Sequence, residues 1–169
     1  MNFNHIYLIG MMGSGKSTIG QLLASAVNYN FIDTDSLIEE NTGLKIHGIF
    51  KIFGETYFRN LENQALRDST ENQKRTVIAC GGGLPLIPGV MEYMKENGLV
   101  LFLKGDPAIS YSRIYNKNNR PLLKNKKDFE DLFNERLNTY KRAHFSVNAD
   151  DNPQKIIENI LLILQDFGS

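Results

Sequence analysis

Gly10-Met-Met-Gly-Ser-Gly-Lys-Ser17 matches the pattern GxxxxGK[ST] in full. The apolar run His5–Gly10 leads into it and has the character of a buried strand. Behind it, four apolar residues fall at the spacing of one helix face: Ile19, Leu22, Leu23 and Ala26. The alternative is a glycine-rich turn that binds nothing. A strand before the motif and a helix after it are the context of a phosphate-binding loop (P-loop), so motif and context together favour that interpretation.

The residue types of the motif explain how it would hold phosphate. Glycines let the backbone curl so that several N–H groups point at one anion, and the positive end of the following helix faces the same anion. We expect Lys16 to reach the β- and γ-phosphates of ATP and the Ser17 hydroxyl to ligate Mg²⁺. The residues expected at the nucleotide are Gly13, Ser14, Gly15, Lys16, Ser17 and Thr18.

Beyond the P-loop, strand-like and helix-like segments alternate along the chain. Strand patterns cover 30–32, 76–79, 99–103 and, less clearly, 145–147. Helix patterns cover 55–69, 129–140 and 153–164, and Pro88 suits the first turn of a further helix. Strands separated by helices predict parallel βαβ units in a three-layer α/β domain.

Composition narrows the class of protein. The 169 residues carry no net charge, which gives a nucleic-acid role no support, and their number suits one domain over 1–169. No apolar run is long enough to span a bilayer, and a strand pattern from His5 leaves no room for a signal peptide. Cys80, the only cysteine, agrees with a reducing compartment. We expect a cytoplasmic monomer that acts on small molecules, without a membrane or nucleic-acid partner.

Two carboxylates follow the second strand, at Asp33 and Asp35. P-loop proteins need an acid near the metal, and the strand 76–79 ends in Cys80 and glycines without one. One carboxylate can support Mg²⁺ through water, and the other can orient or deprotonate an acceptor hydroxyl. The alternative is that Asp35 or Ser36 only caps the next helix. We favour the functional interpretation, because Asp33 would lie before such a cap and capping would leave it unexplained.

Three further features have a structural and a functional interpretation. Gly81–Gly83 follows a strand, where it is either a flexible turn or a surface on which a ligand lies against bare backbone. Arg59 pairs by spacing with Glu62, and Arg136 follows Glu135, so both arginines suit a solvated helix surface as well as a site. Spacing alone decides none of these.

The segment 107–127 holds six cations and no acid. It is either a lid that closes over a polyanion such as ATP, or a solvated basic loop, or a loop that touches nucleic acid. In a P-loop protein we favour the lid.

Taken together, these segments resemble the shikimate kinase family. The matching stretches are Gly10–Thr18, Phe31–Glu39, Gly54–Glu62, Gly81–Gly83, Arg120–Leu123, Glu135-Arg136 with Tyr140, and Asn152-Pro153. The resemblance implies transfer of the γ-phosphoryl group of ATP to the 3-hydroxyl of shikimate, in the route to aromatic amino acids. It also implies a P-loop NTPase-type fold with a five-stranded parallel sheet, flanking helices, a substrate region rich in helix and a lid at about 113–127.

The resemblance also implies roles for residues. Those expected at shikimate are Asp35, Arg59, Gly81, Gly82 and Arg136, with both arginines on its carboxylate and Glu62 bracing Arg59. Lys16, Asp35 and Arg120 would be catalytic, Asp33 would join Ser17 at Mg²⁺, and Arg113, Arg120, Asn152 and Pro153 would meet ATP. Some relatives carry an arginine within the segment that here reads 148–152, so stacking on that side of the adenine stays open. The competing functions are another small-metabolite kinase, such as a gluconate kinase, and a nucleotide-dependent switch module.

Overall fold

The computed structural model describes residues 3–115 and 125–167. Its strands are β1 (His5–Ile9), β2 (Asn30–Asp33), β3 (Thr76–Ala79), β4 (Leu99–Lys104) and β5 (Phe145–Asn148). Its helices are α1 (Lys16–Val27), α2 (Thr34–Thr42), α3 (Ile46–Glu71), α4 (Val90–Asn97), α5 (Pro107–Tyr115), α6 (Lys126–Tyr140) and α7 (Pro153–Phe167). A short 3-10 helix, Leu84–Leu86, follows β3.

The strands form one five-stranded sheet in the order β2-β3-β1-β4-β5, and every neighbouring pair is parallel. Parallel neighbours require a crossover between them, and the helices supply it. β1, β3 and β4 are buried along almost their whole length, as expected when helices cover both faces of a sheet. The predicted five-stranded parallel sheet is confirmed.

Alternate strand residues face two separate cores, because successive side chains point to opposite faces. On one face Tyr7, Ile78 and Phe102 pack with residues of α3, α4 and α6. On the other face Leu8 and Leu101 pack with residues of α1 and α7. The sheet therefore lies between two helical layers, and the predicted three-layer domain is confirmed.

A third, smaller core lies away from the sheet between α2 and α3. It contains Ile38, Ile49, Phe58 and Ala65. Within α3 the backbone leaves helical geometry at Gly54, where φ is 83°. The helical pattern predicted over 55–69 is thus the second part of a longer, broken helix, whose first part carries Ile49.

Three local predictions were wrong. On α1 the buried residues include Ile19 and Leu23 but not Leu22, which is 45% exposed, or Ala26, which is exposed as well, because Gly20 turns toward the sheet and receives the ring of Phe31. Pro88 does not open a helix: α4 begins at Val90, after Gly89. The basic segment 107–127 is not a loop throughout, since α5 and α6 occupy both of its ends.

Within the described ranges, no helix combines the length and the apolar character needed to cross a bilayer.

Candidate active site

The site lies where β2, β3 and β1 end, at one edge of the sheet. These three strands are neighbours, and their register places Asp33 beside Ala79 and Ala79 beside Leu8. Ligands of open parallel sheets bind at the carboxyl ends of the strands. The P-loop, the two aspartates and Gly81–Gly83 therefore leave three adjacent strands at the same level.

Lys16 lies folded back over the P-loop. Its Nζ donates hydrogen bonds to the backbone oxygens of Gly10 and Met11, each at 2.9 Å. Gly13 has a φ of 79°, and a methyl group there would run into the backbone oxygen of Ser110 on α5. The loop therefore needs glycine both for its conformation and for the close approach of α5.

Asp33 links the end of β2 to the P-loop. Its Oδ2 accepts a hydrogen bond from the Ser17 hydroxyl, while its Oδ1 accepts from the backbone N–H groups of Asp35 and Ser36 at 3.0 and 3.2 Å. Asp33 is thus the N-cap of α2. The sequence interpretation placed that cap at Asp35 or Ser36, which was wrong.

The cap assignment has two consequences. Asp33 combines capping with a contact to the P-loop hydroxyl, so both roles belong to one residue. Asp35 lies in the first turn of α2 rather than on extended backbone, and its side chain reaches Gly81: a methyl group there would lie 2.8 Å from Asp35 Oδ1. The two carboxylates therefore serve different parts of the site.

Gly81–Gly83, the glycine triplet, contacts both predicted arginines. A methyl group on Gly83 would overlap the Arg59 guanidinium, with Nη2 at 2.5 Å, and one on Gly82 would lie 3.1 Å from Arg136 Nη1. Two arginines from different helices thus meet neighbouring residues of one backbone segment. The triplet is a close-packed surface, because side chains from three helices occupy the space next to it.

The two arginines differ in their partners. Arg59 pairs with Glu62 and, at 3.0 Å, with Glu55. Arg136 is only 4% exposed, and its Nε and Nη1 have no hydrogen-bond partner among residues 3–115 and 125–167. Neither arginine is the solvated surface charge that spacing alone allowed. A buried cation with unsatisfied donors is suited to bind an anion.

One cleft of about 850 Å³ connects these groups. The predicted site residues that line it are Gly13, Gly15, Lys16, Ser17, Thr18, Asp33, Asp35, Arg59, Gly81, Gly82, Arg113 and Arg136. P-loop and glycine triplet therefore face the same space, so a nucleotide phosphate and a second ligand can meet there. Ser14, also predicted at the nucleotide, has a buried side chain with no hydrogen-bond partner in the described part of the chain.

Of the remaining predicted nucleotide residues, Arg113 lines the cleft, whereas Asn152 and Pro153 lie apart from it. Arg113 lies on α5, and its Nη1 donates to the Gly13 backbone oxygen at 3.1 Å. Asn152 and Pro153 line a separate shallow depression with Leu22, and the Asn152 side chain accepts a hydrogen bond from the Lys155 N–H. Arg120 and most of the predicted lid lie outside the described residues, so their roles stay predictions.

Sequence reasoning left several residues of this region without a role. His47 is exposed at the cleft, and Cys80 is buried beside the triplet, where burial raises the pKa of its thiol. Thr34 Oγ1 accepts from the Gly81 N–H at 3.0 Å, and the Tyr140 hydroxyl donates to the Gly82 oxygen at 2.6 Å. No local pattern signals these last contacts, because their partners are 47 and 58 residues apart in sequence.

Comparison with known proteins identifies the family. The sequence model described as shikimate kinase matches residues 12–165, which is most of the chain. The chain belongs to the shikimate kinase family. The curated shikimate kinase of Sulfurihydrogenibium sp. is 44% identical over 159 residues, which cover 93% of this chain and 95% of that one. The resemblance inferred from the sequence is therefore confirmed.

Solved structures support the same family, and they also show that the fold occurs in kinases outside it. A shikimate kinase from Acinetobacter baumannii in complex with shikimate superimposes with a TM-score of 0.91 at 34% identity, covering 98% of this chain and 95% of that chain. A gluconokinase from Sinorhizobium meliloti matches with a TM-score of 0.62 at 18% identity, covering 97% and 93%. The second match shows a shared fold alone.

Glu62 is a buried carboxylate of this candidate site. Its side chain is 1% exposed and lies between Arg59 and the glycine triplet. Burial raises its pKa from 4.5 to about 7, a shift that Arg59 opposes, that the Asp35 charge increases and that Arg136 opposes. Glu62 is therefore partly protonated near neutral pH, although it pairs with an arginine.

This shift predicts how stability depends on pH. The folded state binds a proton at Glu62 between about pH 4.5 and pH 7 that the unfolded state has lost, so the free energy of unfolding should fall by on the order of 3 kcal/mol as pH rises through that range. Glu62→Gln should remove this component. Urea unfolding at several pH values measures it.

Glu55→Gln is the matched control. Glu55 also pairs with Arg59, but its side chain is 56% exposed. This variant should keep the wild-type pH dependence. If the free energy of unfolding depends on pH with the same slope in wild type and Glu62→Gln, the assignment to Glu62 is contradicted.

Proposed function

We propose that this chain transfers the γ-phosphoryl group of ATP to the 3-hydroxyl of shikimate, in the biosynthesis of aromatic amino acids, as a cytoplasmic monomer. The observation that carries the proposal is the placement of Arg59 and Arg136 on the glycine triplet, in the cleft that the P-loop also lines. Two cations on the acceptor side of the cleft favour an acceptor that has an anionic group. A neutral polyol offers no anionic group for them to bind.

The acceptor half of the cleft has the groups that shikimate needs. A carboxylate can accept hydrogen bonds from Arg136 and Arg59 together, because the guanidinium fork matches carboxylate geometry. Gly81 and Gly82 line the cleft, and because neither has a side chain, Asp35, Glu62 and Arg136 lie close to their backbone, where a hydroxyl-bearing ring would meet them. The relative that contains shikimate, at 34% identity, supports the same acceptor here.

The residues next to the P-loop fit Mg²⁺. The Ser17 hydroxyl and the Asp33 carboxylate are hydrogen-bonded to each other at the mouth of the loop, and both offer the oxygen ligands that Mg²⁺ prefers. Mg²⁺ retains several waters and binds phosphate oxygens, so it needs no larger set of protein ligands. When bound, the ion would neutralise charge on the ATP phosphates.

The chain's own side chains would supply the remaining steps. Asp35 would accept the proton of the acceptor hydroxyl as its oxygen forms a bond to the γ-phosphorus and the bond to ADP breaks. Lys16 would exchange the carbonyls of Gly10 and Met11 for phosphate oxygens and stabilise the transferred charge. Arg120 would act from the lid on the same phosphates.

ADP release from ATP tests the proposed function directly. We expect ADP release with shikimate, and little with gluconate or without an acceptor. Release with gluconate alone would make the chain a kinase of a different carboxylate, gluconate. Binding of ATP without acceptor-dependent turnover would favour a nucleotide-dependent switch.

Asp35→Asn should lower kcat by about 10²- to 10⁴-fold while changing the dissociation constant of ATP little, because its proposed partner is the acceptor hydroxyl. Steady-state kinetics and ATP titration measure the two quantities. Glu40→Gln is the control, since Glu40 is an exposed carboxylate on the same helix. Loss of ATP binding with retained acceptor binding would indicate that Asp35 acts at the metal instead.

A further inference from the structure

Tyr140 lies one helical turn after Arg136 on α6 and has no role in the reaction described above. Its ring is fully buried and lies 5.2 Å from the ring of Phe102. Its hydroxyl, also buried, donates a 2.6 Å hydrogen bond to the backbone oxygen of Gly82. A core tyrosine thus contacts the glycine triplet that lines the proposed acceptor site.

That hydrogen bond fixes the orientation of a whole peptide group. The peptide unit is planar, so holding the Gly82 oxygen also fixes the direction of the Gly83 N–H. Glycine restricts its own backbone less than any other residue, so the triplet depends on outside contacts for a single conformation. Thr34 supplies the second contact, since its Oγ1 accepts from the Gly81 N–H at 3.0 Å.

Tyr140 also borders the acceptor arginine. Residues four apart on a helix lie on the same face, and a methyl group on Gly82 would lie 3.1 Å from Arg136 Nη1 and 3.5 Å from the Tyr140 hydroxyl. Gly82 is therefore packed against both side chains. A shift of the Gly82 peptide would change the space that the guanidinium occupies.

The hydroxyl remains a donor at physiological pH. Burial raises the pKa of Tyr140 to about 12, although the nearby Arg136 charge opposes this shift. The phenol is therefore protonated under all conditions in which a kinase would be assayed. Its hydrogen bond to Gly82 does not depend on pH.

We propose that Tyr140 is a positioning residue for the acceptor: its hydroxyl sets the orientation of the Gly82–Gly83 peptide beside Arg136, and thereby the affinity for shikimate, without touching the substrate. The inference rests on the proposed function, because it concerns the same acceptor site. It predicts a larger effect on the acceptor half of the cleft than on the nucleotide half, where the hydroxyl makes only a 4.0 Å contact with Met11 Sδ.

Tyr140→Phe tests this inference, because it keeps the buried ring and removes only the hydroxyl. We expect the KM for shikimate, and its dissociation constant measured by calorimetry, to rise about tenfold, as the loss of one hydrogen bond allows. The KM for ATP should change less than about twofold. A merely structural role would raise the KM for shikimate and the KM for ATP by similar factors.

Tyr7→Phe is the matched control. Tyr7 is a fully buried tyrosine of the same core, and its hydroxyl is hydrogen-bonded to Thr70 at 3.0 Å. Its removal should cost similar stability and leave the KM for shikimate unchanged. If Tyr140→Phe does not fold, Thr34→Val releases the triplet from its other side and should raise the same KM.

The outcomes separate the two proposals. Wild-type turnover of shikimate with an unchanged shikimate KM in Tyr140→Phe, or with the same change in Tyr7→Phe, overturns the positioning role alone. If Thr34→Val is the variant measured, an unchanged shikimate KM does the same. Absence of shikimate turnover in the wild type overturns the proposed function and this inference with it.

Discussion

Shikimate amide should be phosphorylated with a kcat/KM about 10⁴-fold below that of shikimate, because sites built around buried polar groups reject analogues that lack the matching group. Arg136 is 4% exposed, and its Nε and Nη1 have no hydrogen-bond partner in the described ranges. A neutral amide would leave this cation without an anion in the closed site. The methyl ester should behave as the amide does.

Arg136→Lys should lose most of that discrimination. Lysine keeps the charge but not the planar fork that binds both carboxylate oxygens. Arg59 already pairs with Glu55 and Glu62. We therefore expect Arg136 to account for the larger share of the discrimination between acid and amide. Arg142→Lys, which changes an exposed arginine paired with Glu92, is the control and should keep the wild-type ratio.

Similar use of shikimate and its amide by the wild type would contradict the proposed selection of a carboxylate. If the wild type uses both within about tenfold, a difference of about 1.4 kcal/mol, the two arginines do not select a carboxylate. A neutral acceptor would then be the better assignment for the cleft.

Lys16→Ala should lower kcat by at least about 10²- to 10³-fold, the effect of removing one preorganised charge donor at a developing anion. Lys16 donates to two carbonyls of its own loop, which holds its charge at the phosphate-binding loop. The fold should survive, because Lys16 belongs to none of the three cores.

Single-turnover kinetics and urea unfolding measure the two effects of Lys16→Ala. Lys141→Ala, at the exposed end of α6, serves as the control and should match the wild type in both. Turnover of Lys16→Ala near the wild-type rate would remove the P-loop lysine from the mechanism.

The parts of the fold that sequence predicted are those that short patterns determine. Strands such as β1 and β3 are mostly apolar and are buried over their whole length, and the P-loop motif depends on eight consecutive residues. Their order in the sheet was not visible, because pairing joins segments far apart in sequence. Arg59 and Arg136 became candidates only by resemblance, since their meeting at the glycine triplet depends on that order.

The errors have specific physical causes. Leu22 fits an apolar stripe on α1, yet Gly20 defines the buried side because only glycine allows Phe31 so close. Asp33 was placed before the cap of α2, although β2 passes into α2 without an intervening loop and the cap falls on the last strand residue. In both cases a neighbouring strand decided the local geometry.

The small core between α2 and α3 suggests how acceptor specificity can diversify. Its four buried residues form a cluster separate from the two that enclose the sheet, so substitutions there need not disturb the strands that carry the P-loop. Selection for a different acceptor can therefore act on one region while the nucleotide machinery is inherited intact. We expect lineages of this fold to vary most in that region when their substrates change.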